Sequence, residues 1–143
     1  MKLLLQPLAV LAIWTMIVWA WLYATRMTAL KKAGIDLKGR HGTKGGDLDG
    51  VLPDKTQWVA HNYNHLLEQP PLFYAVVIAL AMLGDMSEPT RMIAWAYVGL
   101  RIAHSLVQIL WNRALVRWAL FMLASIGLFL LCLRLLAGVF IVA

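Results

Sequence analysis

His61-Asn62-Tyr63-Asn64-His65-Leu66-Leu67-Glu68-Gln69-Pro70-Pro71 runs without a break into Leu72-Phe73-Tyr74-Ala75-Val76-Val77-Ile78-Ala79-Leu80. The second half reads as membrane helix, but the first carries a glutamate, two histidines and two asparagines. Polar and ionisable groups are costly in hydrocarbon, roughly 2.5 to 3.5 kcal/mol each for Asp, Lys or Arg at a helix centre. Such a cluster persists in a span where it binds, reacts or pairs, so the search for function starts there.

The rest of the chain supports a bilayer as its solvent. Its 143 residues are one domain's worth, 62% of them hydrophobic and only 14% charged, against about 25% charged in ordinary soluble proteins. The net charge of +6 and the pI near 9.8 do not point to nucleic acid. The basic residues gather at the ends of apolar segments, where lipid headgroups and loop chemistry account for them. The single cysteine, Cys132, lies in an apolar run and reads as a small hydrophobe.

Four windows of spanning length follow, at about 3–24, 58–83, 91–111 and 115–142. The first is too long for a signal-peptide core and lacks a clear small-residue cleavage site, which predicts an uncleaved span. The expected fold is all-α, an integral membrane four-helix bundle forming one domain over 1–143. Residues 26–57 form a glycine-rich loop with seven Lys and Arg, whereas the 84–90 turn has none and carries Asp85 and Glu88. The positive-inside rule puts the long loop in the cytoplasm and both termini on the other side. Gly39-Arg40-His41-Gly42-Thr43-Lys44-Gly45-Gly46 lacks P-loop spacing and no strand precedes it. Asp47-Leu48-Asp49-Gly50 is too short for a calcium loop.

Residues three or four apart share a helix face, so His61, Asn64 or His65, and Glu68 form one polar stripe. On the third span Tyr97, Arg101, His104, Ser105, Gln108 and Asn112 form another. Counting about 1.5 Å per residue from Trp58 and from Trp111 puts Glu68 and Arg101 both about 15 Å deep. On that reckoning His65 and His61 match His104 and Gln108, and Arg113 and Arg117 stand at the mouth. Arg134, about 30 Å along the fourth helix, snorkels to the opposite surface and is outside the site. A neutralising Glu68–Arg101 pair is the plain alternative. Against it, three arginines and three histidines exceed what one carboxylate needs, which suggests an anionic guest. Pro70 and Pro71 cannot donate backbone hydrogen bonds, so a bend is expected beside Glu68.

Glu68-Gln69-Pro70-Pro71-Leu72-Phe73 resembles the Glu-x-x-Pro-x-Phe motif on the second helix of the membrane-associated proteins in eicosanoid and glutathione metabolism, or MAPEG. Trp95-Ala96-Tyr97-Val98-Gly99-Leu100-Arg101-Ile102-Ala103-His104 is similar to the pattern on that family's third helix. The resemblance covers the whole chain. It implies a homotrimer of four-helix subunits, of a bacterial type in an inner membrane, with glutathione bound between neighbouring subunits as co-substrate. Carried over by motif, Glu68 binds glutathione, Arg101 contacts or positions one of its carboxylates, and Arg26 contacts another. His61, His65, Asn64, His104 and Gln108 complete the binding set, and Arg117, with Arg113 competing, stabilises the thiolate. His65 stands where glutathione-using branches carry asparagine, and His61 where several carry arginine.

The implied activity is a glutathione transferase or peroxidase acting on hydrophobic electrophiles from the lipid, in a detoxifying role. The alternative is a non-catalytic member holding a lipid or partner helix, which the two histidines favour. A third reading, a metal site, rests on His61 and His65 at i, i+4 with Glu68 and His104 nearby.

Overall fold

The computed structural model describes residues 2–35, 38, 44–85 and 87–140. Gly39 to Thr43 of the glycine-rich stretch and the last residues of the fourth window lie outside them. The described chain has five helices: α1 Lys2–Lys32, α2 Asp54–Glu68, α3 Pro70–Met82, α4 Glu88–Leu110 and α5 Ala114–Phe140. Helices α2 and α3 form one span, Asp54–Met82, and the four resulting spans are each long and apolar enough to cross a membrane. This all-helical bundle is an integral membrane architecture.

The helices outrun their apolar windows. Helix α1 continues past Ala24 to Lys32, and α2 begins at Asp54, so the 26–57 stretch is less loop than its composition suggests. Polar residues near a span end bond water and headgroups while the backbone ladder continues. Between the two, a 3-10 turn at Gly45–Leu48 lies close to the bundle. Ala29, Leu30 and Leu52 form a small cluster there, with Ile35 and Leu48 against it, and that cluster ties the loop to α1.

The break at Gln69 is the local event that matters most. Pro70 and Pro71 lack the N–H groups that would reach back into α2, so α2 ends at Glu68 and α3 starts afresh. The carbonyls of Leu66 and Leu67 thereby lose the donors that would stand four residues on, and in the same last turn the His65 carbonyl accepts from a side chain, Arg101. At the far end of the bundle Gly84, at φ +77°, closes α3 with Asp85 N–H donating to Leu80 O at 3.0 Å, a left-handed cap that glycine adopts without strain.

Helix α4 packs along α5 and also meets α1 and α2. Leu4, Leu11, Val18 and Leu22 supply the inner stripe of α1, at the spacing of a packing seam. Phe73 stacks on Tyr97 with ring centroids 4.3 Å apart and closes the centre. Cys132 packs against this core. The outer face of α5, including Leu115, Met122, Ile126 and Phe129, is exposed and apolar, as a lipid-facing surface must be.

Candidate functional site

A ladder of polar side chains joins the second span to the third. Asn62 donates to Gln108 Oε1 at 3.0 Å, and Ser105 donates to Asn62 Oδ1. One turn on, Arg101 NH2 donates to the His65 carbonyl at 2.8 Å and to His65 Nδ1 at 3.0 Å. Arginine has no acceptor, so Nδ1 accepts and the ring's proton belongs on Nε2. A further turn on, Tyr97 OH donates to Gln69 Oε1 at 3.3 Å, and Gln69 Nε2 donates to Ser125 Oγ at 2.9 Å. Asn62, Arg101, His104, Ser105 and Gln108 are all buried.

The face of α2 that meets α4 is therefore Asn62, His65 and Gln69. Of the stripe expected there, His61, Asn64 or His65, and Glu68, only His65 turns inward, while His61, Asn64 and Glu68 are exposed. Arg101 lies level with His65, one turn nearer the loop end than the depth count placed it. That count started both helices at tryptophans and assumed a continuous second helix, whereas α2 begins earlier and stops at Glu68. Glu68 has no ion pair among the described residues. Among the described residues only His61–Asp49 and Arg91–Glu88 come within ion-pairing distance. Arg101, fully buried, is held instead by the free end of α2, where the helix dipole favours a cation.

Two small cavities flank α2 at the loop end. In the first, of about 220 Å³, Arg26 faces His61, Asn64, Asp49 and the Gly45-Gly46 turn. His61 Nε2 lies 3.2 Å from Asp49 Oδ1. Gln57 donates to the same oxygen at 2.5 Å and accepts from Arg26 NH2 at 3.5 Å. A Cβ on Gly45 would stand 3.3 Å from Arg26 NH1, so the loop backbone lies close over the guanidinium.

The second cavity, of about 250 Å³, is lined by His65, His104, Arg117, Trp118 and Phe121. The two imidazoles lie tilted by 35° with centroids 4.7 Å apart, and His65 and Phe121 meet edge to face at 5.2 Å. Arg117 NH1 donates to Asn112 Oδ1 at 2.5 Å, and Asn112 takes a positive φ of 52° in the α4–α5 turn. Arg113 does not reach this cavity, because its guanidinium lies 4.7 Å over the Trp111 ring.

The buried Nε atoms of Arg26, Arg101 and Arg117, and NH1 of Arg101, have no hydrogen-bond partner among the described residues. Buried guanidinium donors are normally satisfied, so both sides of α2 offer donors in excess. The family model for the MAPEG family matches residues 4–137. The chain belongs to the MAPEG family. It is thus a membrane protein of the superfamily that serves glutathione and eicosanoid metabolism. Searches of curated proteins and of solved structures find no match to it.

Within this MAPEG chain the site residues expected from the sequence divide into two groups. Arg26, His61, Asn64 and the exposed Glu68 stand on the outer side of α2. His65, Arg101, His104 and Arg117 stand on the α4–α5 side, and Gln108 belongs to the ladder between the helices. His61 and His65 do not converge, and among the described residues no three His, Cys, Asp or Glu side chains gather as a metal site would require. Asp49, Gln57, Gln69 and Phe121 were missed. Gln69 carried the same signal as its neighbours, a polar group in a span. Asp49 sat in a stretch weighed only for calcium.

Proposed function

We propose that this MAPEG protein is a membrane glutathione transferase or peroxidase whose hydrophobic second substrate arrives from the lipid. The observation that carries the reading is Arg117, with a buried, unpartnered Nε, in a cavity walled by His65, His104 and Phe121. A thiol of pKa near 8.5 is mostly protonated at neutral pH, and lowering it by two units takes about 2.7 kcal/mol of preference for the anion. A partly desolvated guanidinium supplies that preference.

In this reading Arg117 holds the thiolate sulfur, and Arg26 takes a glutathione carboxylate with Glu68 on the ammonium. The two groups lie on different sides of α2, so a complete site joins the outer side of one subunit to the α4–α5 side of the next, in a homotrimer. Conjugation forms a carbon–sulfur bond as the thiol proton leaves to water, and the acceptor expels halide or, as an enolate, takes up a proton. Reduction of a lipid hydroperoxide consumes two glutathiones and yields the alcohol, water and the disulfide. The loop end is then the cytoplasmic end, where glutathione enters.

A specific contact favours the non-catalytic alternative. His61 and Gln57 already hold the Asp49 carboxylate, so the outer pocket has an internal anion. Titration calorimetry of the purified protein with glutathione separates the two readings. Binding accompanied by ultraviolet thiolate absorbance supports the transferase, and no heat at millimolar glutathione sinks it.

A further inference from the structure

The groove at the far end of the bundle, opposite the two cavities, has no part in that reading. It measures about 740 Å³ and lies between α3, α4 and α5. Its wall is apolar, from the buried Leu80 with Ile93 and the outward-facing Leu130 and Leu133, while Asp85, Ser87 and Arg134 supply its polar mouth. Arg134 is twenty residues along α5 from Ala114, about 30 Å of helix, which is the thickness of the hydrocarbon core. If α5 starts at one headgroup layer, Arg134 reaches the other.

The mouth is unevenly satisfied. Asp85 is fixed by its own turn, since Thr90 Oγ1 donates to Oδ2 at 2.7 Å and Ser87 N–H donates to Oδ1 at 2.9 Å. Arg134 is exposed, and its hydrogen bond to Ser87 Oγ, at 3.5 Å, is at the limit of contact. A guanidinium has five N–H donors in a fork that suits phosphate, so most of Arg134's capacity is uncommitted.

We infer that this groove is a binding site for one zwitterionic glycerophospholipid, its phosphodiester on Arg134, its ammonium toward Asp85 and one acyl chain along Leu80, Ile93, Leu130 and Leu133. The charges at the mouth are one cation and one anion, the complement of such a headgroup. The polar mouth sits at the interface and the apolar crevice runs below it, as head and tail of a lipid do. A helix of a second copy would fill the crevice but leave the Arg134 donors unmatched.

Native mass spectrometry of the detergent-purified protein, titrated with phosphatidylethanolamine, tests this. The wild-type chain should take up one lipid and bind diacylglycerol of the same chains roughly tenfold more weakly, the loss expected for a charge-assisted contact. Arg134→Gln should show the same loss. Ala137→Phe, which fills the groove and leaves Arg134 in place, should abolish uptake. Equal binding of diacylglycerol by the wild-type chain would overturn the site whether or not any variant folds. Phosphatidylglycerol binding as well as phosphatidylethanolamine would overturn the role of Asp85, and a changed subunit count in Arg134→Gln would show that a second copy covers the groove.

Discussion

Arg101 reaches across from α4 to cap the broken end of α2, placing NH2 2.8 Å from the His65 carbonyl and 3.0 Å from its ring nitrogen. The chain of cause runs from sequence to site. Two prolines end the helix, and in its last turn the His65 carbonyl holds a guanidinium with which no carboxylate among the described residues pairs. The same contact fixes the His65 ring against His104 and Phe121. Arg101→Met therefore leaves a buried carbonyl and a ring nitrogen unpaired, while it relieves the cost of desolvating the charge. The two effects separate in a double-mutant cycle with His65→Ala. The coupling measured by thermal unfolding in detergent is expected to be about 1–2 kcal/mol, and a value near zero would mean the ring contact carries no energy.

How much of this was legible beforehand differs between fold and site. Hydropathy set the four spans, and the Pro70-Pro71 pair set the break, because both are local properties of the chain. The rotation of α2 was not legible. His61, Asn64 and Glu68 make one polar stripe and Asn62, His65 and Gln69 make another, and periodicity alone does not say which one turns inward. Asn62 and Gln69 settle it only through their partners Gln108, Ser105, Tyr97 and Ser125, contacts from distant parts of the sequence. Asp49 at His61 was hidden for a related reason. It depends on how a loop closes, and loop closure leaves no period to read.

Arg117 and Arg113 are four residues apart at the start of the fourth span, and only Arg117 lines the cavity with the two histidines. Under the transferase reading Arg117→Ala retains glutathione binding but loses thiolate, and conjugation to an aryl halide falls roughly tenfold to a hundredfold. Arg113→Ala, which loses only its contact with the Trp111 ring, keeps its turnover. Steady-state rates and thiolate absorbance on the two variants check this. Equal losses in both would remove Arg117 from its role.

Asp49 occupies the pocket of Arg26 and His61 with a carboxylate of its own. A ligand carboxylate entering there must displace it or share its donors. Asp49→Asn keeps the shape and removes the charge, so glutathione affinity by calorimetry should rise, about threefold to tenfold for a charge at this range in a partly exposed site. Weaker binding in Asp49→Asn would show that Asp49 serves the ligand instead of competing with it.

The turn at the far end carries its own pH dependence. Burial pushes the Asp85 carboxyl up, but hydrogen bonds from Thr90 and Ser87, with Arg134 nearby, outweigh it and leave the group below the usual carboxylate range. A depressed folded value means the stabilisation is fully present above the ordinary aspartate pKa of about 3.9. It is lost as pH falls through the lower, folded value. Melting curves from neutral pH down to about pH 2 should show wild type and Asp85→Asn furthest apart at neutral pH, with the gap narrowing on the acid side. A constant gap would assign the effect to shape, not charge.

The outward stripe of α2 gives the last prediction. His61, Asn64 and Glu68 are exposed in the single chain, and Glu68 lies midway along its span Asp54–Met82. Lipid cannot solvate such a stripe cheaply, whereas a second copy can supply hydrogen-bonding partners. Replacing all three with leucine makes this face match lipid and removes what the neighbouring copy would satisfy. The variant is expected to fold, since the inward ladder of Asn62, His65 and Gln69 is untouched, but to run as single copies in mild detergent where, under the proposed function, the natural protein is expected to run as a trimer. Light scattering coupled to size exclusion reads the mass directly. A leucine variant that keeps three copies would show that other faces hold the assembly, and a natural protein of one-subunit mass would remove the composite site altogether.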